Sequence, residues 1–291
     1  MTVLTTRTTH RRVHSHRWWV ALVVLILGAS IWVRTPIERL LYGAYRQGLI
    51  WQTEWHLSGD HQVGAPHFVV YYPPGHRNGA EEILQLASRA YSGEITNLGI
   101  HPQGRLVIAL YSTQAALNRA VGLSPHQNNI GFYWHGVIDV LGPNGLSHSL
   151  GVAHNSYPVD GPVPHELGHA LLNLGADGNY PAWFNEGIAQ WEDYQQTGYQ
   201  WLTPHNYLGR GPLYSYRALS HHFYQLPHQS LAYREGFGLV GYLAHLGGAN
   251  TLPAFIQVLG EGTSFNTAVR TTYGAPIQIV FARWQKSLHH A

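Results

Sequence analysis

The chain has 291 residues and is 45% apolar, enough for one large domain or two small ones with a sizeable core. Charged residues are scarce, 11% against about 25% in an average soluble domain. The net charge is only +2 and no basic cluster lies in the body of the chain, so no nucleic-acid partner is expected. The absence of cysteine excludes disulfides, thiolate zinc sites and cysteine nucleophiles, but not export, since a chain this long can be stable without cross-links.

The N-terminus carries Arg7, Arg11, Arg12 and Arg17, and the residues from Trp18 to Val33 contain no charge before Arg34. A helix of that length spans roughly 24 Å, slightly short of the ~30 Å hydrocarbon core. Flanking tryptophans and snorkelling arginines close the gap. The arginine excess before the segment predicts a cytoplasmic tail (1–17), a transmembrane signal anchor (18–34) and an exported remainder. A signal peptide cut near Gly28–Ser30 is the rival reading; the aromatic flank and poor cleavage site favour the uncleaved anchor.

Residues 36–57 read as a juxtamembrane helix or spacer, opened by Pro36, and the whole spacer is taken as 35–64. "HFVVYY" predicts a strand over 67–72. A helix follows with Asn78 as its N-cap and Ile83, Leu84, Ala87, Ala90 and Tyr91 on one face. "RLVIALYS" predicts a strand over 105–112, "TQAALNRAVG" a short helix ended by Gly122, and "GFYWHGVIDVLGPNG" one more strand and a turn over 131–145. After residue 191 the pattern is helical throughout, with glycine punctuation.

The chemistry concentrates in "PHELGHALLNLGADGNYPAWFNEGIAQW", residues 164–191. In so histidine-rich a chain, a chance His-Glu-x-x-His arises about 5% of the time, so the motif needs context. His165 and His169 lie one turn apart on one face of an apolar helix, a spacing that lets two imidazoles bind one tetrahedral zinc. Glu166 is rotated by about 100°, too far round to be a third ligand but placed to touch a water beside the metal. Pro181 opens a second helix whose second turn holds Glu186, the third ligand, and "GADGN" permits the chain reversal between them. Gln190 shares a face with Glu186 and is expected to hydrogen-bond a ligand histidine. Trp183 and Trp191 are expected to pack in the core, and the remaining histidines, among them His221, His222, His289 and His290, to lie at the surface.

"HELGH" followed by "PAWFNEGIAQW" resembles the gluzincin zinc metallopeptidases, and "WFNEGIA" is similar to the segment that carries the zinc glutamate in aminopeptidase N-type enzymes. Residues 67–288 look most like the bacterial peptidase MA-like domain, with "LAYREGFGLVGYL" and "VFARW" as its later elements. The resemblance implies an α+β, zincin-like fold over 65–291: a small sheet and an active-site helix, then a helical C-terminal subdomain. It implies one zinc per chain held by His165, His169 and Glu186, with Glu166 as general base. Tyr233, matching the family's tyrosine-bearing helix, is implied as the oxyanion donor. Aminopeptidases also carry a "GxMEN"-type strand that grips the substrate's free amine; "GFYWHGVID" has no glutamate there, which favours endopeptidase action on a peptide or protein substrate. Two rivals stand against this. An intramembrane zinc protease needs its motif in a long apolar span, which residues 162–176 are not. A zinc-stabilised pseudo-peptidase scaffold for cell-envelope partners has no use for Glu166.

Overall fold

The computed structural model describes residues 36–134, 136–151 and 153–288, so the expected anchor over 18–34 lies outside the described residues. Among them, no helix is long and apolar enough to cross a membrane. Helix α1 (Pro36–His56) leads into a five-stranded sheet ordered β1-β2-β3-β5-β4. Its strands are β1 (His61–Gly64), β2 (Phe68–Tyr72), β3 (Leu106–Tyr111), β4 (Gly131–Trp134) and β5 (Val137–Leu141). The three central strands β2, β3 and β5 run parallel, and β1 and β4 close the two edges antiparallel. Helix α2 (Arg77–Leu98) crosses between β2 and β3, and short helices α3 (Gln114–Ala120), α4 (Pro143–Leu150) and α5 (Tyr157–Asp160) fill the later connections.

The sheet is covered on both faces. On one side Ile50 and Leu57, from α1 and the turn after it, pack on Val69, Val107, Ala109 and Val137. On the other lies the main core, centred on helix α6 (Val163–Ala176), which packs against β4, β5, α2 and the helices that follow. Leu167, Ala170, Leu171 and Leu172 point in successive directions around α6, and all are fully buried. Apolar burial all round marks a helix enclosed by protein.

Six further helices complete the helical half: α7 (Ala182–Thr197), α8 (Tyr216–His222), α9 (Gln229–Leu246), α10 (Thr251–Gly260), α11 (Phe265–Tyr273) and α12 (Ile277–Ser287). As expected, Trp183 is core: it is fully buried, edge-on to Phe184 and Phe265 at 5.6 Å each. Helices α7 and α9 approach so closely that a Cβ on Gly187 would sit 2.5 Å from the Gly236 carbonyl oxygen, and one on Gly236 2.7 Å from that of Trp183. Hydrogen at both positions is what allows this crossing.

Four expectations need correcting. The spacer ends in β1, which pairs with β2 through a tight turn closed by Ala65 N–H to the Phe68 carbonyl, so the sheet begins at residue 61. The four residues "HQVG" are too short and polar to show a period-2 pattern. The run 131–141 is two strands, an exposed-edge β4 and a buried β5, because the chain reverses at Gly136 with φ 111°. Helix α2 begins at Arg77 with no side-chain cap, so Asn78 is inside it. The pattern expected to be helical throughout is interrupted by an irregular stretch over 198–215, before α8 and the 3₁₀ turn Phe223–Gln225.

Gly187→Ala should force α7 from α9 and lower stability by about 2 kcal/mol, as overpacking of a tight core does. A fall in denaturant midpoint, with zinc stoichiometry measured alongside, checks it; an unchanged midpoint would mean that the crossing tolerates a methyl group.

Candidate metal centre

Helix α6 starts at a proline pair, Pro162 as N-cap and Pro164 in its first turn, which sets φ for the helix where N–H donors have no partners. It ends at Asp177 in the left-handed region, φ 48°, followed by Gly178 at 69°, and this reversal returns the chain to Pro181 and α7. The two helices thereby face His165 and His169 towards Glu186.

The three donors lie within 4.8 Å of one another. Glu186 Oε2 stands 3.8 Å from His165 Nε2 and 3.5 Å from His169 Nε2. Tetrahedral zinc with bonds of ~2.1 Å requires donor separations of roughly 3.4 Å. The geometry therefore fits a zinc ion after small side-chain adjustment. Donor chemistry fits too: His169 Nδ1 is 3.0 Å from Asn185 Oδ1, so an Nδ1–H tautomer donates to Asn185 and leaves Nε2 free to ligate. Glu186 Oε1 accepts a 2.7 Å hydrogen bond from the Tyr224 hydroxyl, which leaves Oε2 as the ligating oxygen.

The electrostatics express the same arrangement without a metal. Burial works against charge on Glu186, but the two imidazoles, His169 foremost, outweigh it and hold the carboxyl well below the usual range. Burial would likewise lower His169, yet the Glu186 carboxylate carries it up to about 9. The imidazolium that Glu186 stabilises is the proton a metal must displace.

All five expected site residues line one cleft of about 530 Å³, with Tyr180, Asn185 and Tyr224. Glu166 is 6% exposed; burial raises its pKa, with the histidines and the Tyr133 N–H pulling the other way. That N–H comes from edge strand β4, which crosses so close that a Cβ on Gly131 would lie 2.8 Å from Glu166 Oε1. Tyr233 on α9 packs against Trp201 and Phe223, and burial raises its pKa. Gln190 does not reach a histidine: it donates to the Tyr233 carbonyl oxygen at 3.1 Å, joining α7 to α9. Asn185 takes the role expected of Gln190. Asn185 adjoins the ligand in sequence and could have been found as the neighbour one position before Glu186; Tyr224, 38 residues further on, gave no signal.

Two histidines one turn apart and a carboxylate from the next helix form a possible metal site, with a second carboxylate beside them, in a mixed α/β, mostly helical fold. The sequence profile described as the Peptidase MA superfamily matches residues 95–290, and the chain belongs to that superfamily. No curated protein matches the chain. Among solved structures, the crystal structure of a mutant M1 zinc metallopeptidase from Deinococcus radiodurans is similar over 77% of this chain and 50% of its own, with 14% identity and a TM-score of 0.45. The present chain thus spans about half the length of that one.

His169→Ala should abolish stoichiometric zinc binding, and Asn185→Ala should weaken it by roughly 10- to 100-fold, both read by metal analysis and competition with a chelator. Because His169 is protonated below about 9 in the metal-free protein, zinc uptake at pH 7 should release a proton and affinity should rise with pH up to that value. Calorimetry in buffers of different ionisation enthalpy measures the release. Zinc retained by His169→Ala would place the metal at other histidines.

Proposed function

We propose that the chain is a membrane-anchored, extracytoplasmic zinc endopeptidase, in which residues 18–34 hold the domain at the outer face of the cell membrane. The observation that carries the catalytic part is the placing of Glu166 in the same cleft as His165, His169 and Glu186, beside edge strand β4. Metal binding alone has no use for that second carboxylate.

Zinc, when bound, supplies a Lewis acid and makes a water acidic near neutral pH. The rest is done by the chain. Glu166, whose proton affinity burial raises, accepts a proton from the attacking water and delivers it to the leaving amine. The Tyr133 N–H keeps its carboxylate aimed. Tyr233 stays neutral, since burial and the nearby carboxylates oppose its ionisation, and can donate to the oxyanion. Tyr224 is engaged with Glu186 and holds the ligand instead.

A substrate needs a backbone partner. Hydrogen-bonding groups alternate along a strand, and Ile130 and its alternate neighbours turn to β5. The groups of Gly131 and Tyr133 therefore face the cleft; the Tyr133 N–H is taken by Glu166, and the Gly131 groups and the Tyr133 carbonyl are left to pair with an extended peptide. The cleft-lining segment 129–134 offers no carboxylate to hold a free amine, and the reading is therefore internal cleavage.

Glu166→Gln should keep zinc and lose about 10²- to 10⁴-fold in kcat, assayed on casein or a peptide library. Full activity in that variant would sink the mechanism; no activity in the wild-type chain with zinc bound would favour the scaffold reading. An N-acetylated peptide should be cut at least as well as its free-amine twin, and abolished turnover on acetylation would make the enzyme an aminopeptidase. Protease added to spheroplasts should digest the domain and spare residues 1–17; a protected domain would overturn the orientation.

A further inference from the structure

Helix α1 is apolar in two directions. Its inner face docks on the domain: Ile50 packs on the sheet, the Tyr42 hydroxyl accepts from Asn173 at 2.7 Å, and Arg39 and Arg46 pair with Asp177 at 3.2 and 3.6 Å. Tyr71 donates to Glu54 at 3.4 Å, so three of the helix's four charged side chains, Arg39, Arg46 and Glu54, are engaged with the domain, and the fourth, Glu38, is half-buried. The outer face carries Ile37, Leu40, Leu41, Tyr45, Trp51 and Trp55, each between 53% and 74% exposed. At 100° per residue these six fall within a stripe about 140° wide. The positions between them in the stripe, Ala44, Gly48 and Gln52, carry no charge. A surface helix ordinarily turns charge to water on the side away from the core, and a contiguous apolar patch of this kind marks an interaction site.

The sequence just before the helix indicates what covers it. Residues 18–33 are uncharged and include Trp18, Trp19 and Trp32, and only Arg34 and Thr35 separate them from the first turn of α1. A face with two tryptophans and a tyrosine among leucine and isoleucine has the composition that settles at the boundary between headgroups and acyl chains. We infer that α1 lies flat in the membrane interface, its outer stripe buried in lipid along about 30 Å, and thereby fixes the height and tilt of the cleft above the bilayer. The linkage to the cleft is direct: Asn173, which bonds Tyr42, also accepts from the Tyr133 hydroxyl at 2.9 Å on the edge strand.

This deepens the membrane-anchor reading and rests on it for the placing of residues 18–34. The absence of cysteine allows single labels in the full chain. Ala44→Cys and Trp51→Cys on the stripe, and Lys286→Cys on α12, an exposed position on a helix that packs on α9 and α11, as a control, would carry nitroxides after reconstitution into phosphatidylcholine–phosphatidylglycerol vesicles. Labels at 44 and 51 should collide with lipid-soluble oxygen several-fold more than with a water-soluble nickel reagent, and the label at 286 should show the reverse. Leu41→Glu, at an exposed position that leaves the domain's circular dichroism unchanged, should shift the label at 44 towards the aqueous pattern. Co-sedimentation with aqueous labels at 44 and 51 overturns the inference and spares the anchor, whereas failure to co-sediment overturns both. Labels shielded from both reagents would mean that the chain's own N-terminal segment covers the face. Concentration-dependent dipolar broadening would mean a second copy does. Either result overturns it.

Discussion

Glu186 has to bring a carboxylate to two imidazoles on a different helix, and the fold is organised around the separation of α6, α7 and α9 that this requires. The distance is set by backbone contact. Gly187 follows the ligand directly and lets α7 lie against Gly236 of α9, while the reversal at Asp177 and Gly178 brings α7 back along α6. Once the helices are this close, their side chains lock the donors from outside: Asn185 on His169, Tyr224 on Glu186, Gln190 across to the carbonyl of Tyr233. A donor set without such support would have rotamers to choose from, and metal affinity falls when supporting partners are removed.

The sheet serves this helical assembly by lending it an edge. Strands β2, β3 and β5 are covered on both faces, as parallel strands usually are. Only β4 lies at the rim of the cleft, and its backbone both steadies Glu166 and presents the groups that an extended chain could meet. Gly131 is the reason it can lie there, since any side chain would collide with Glu166 or Pro162.

What the sequence made legible and what it hid divide by range of interaction. His165, Glu166 and His169 are related by helical geometry within two turns, so spacing alone placed them correctly relative to each other. Glu186 was reachable because the intervening reversal is short and marked by glycine. Tyr224 and Asn173 owe their roles to contacts across 38 and 131 positions, with Glu186 and Tyr42 respectively, and nothing local announces either. The same holds for β1, whose four residues become a strand only because β2 offers an edge. The hairpin between β4 and β5 was missed for another reason: its aromatic and β-branched residues run almost continuously through the turn, so composition gave no break at Gly136.

The enclosure of α6 also has a kinetic meaning. Amides and side chains open to solvent in cooperative units, and an element packed on all sides opens only when its surroundings do. Helix α6 touches the sheet, α2, α7 and α10, and its inner residues have no exposure at all. It therefore belongs to the last unit to unfold, and His165 and His169 inherit that persistence. Helix α7 is enclosed to the same degree, with Trp183, Phe184, Ile188 and Ala189 fully buried, so Glu186 shares that persistence and the three donors are kept together in one unit.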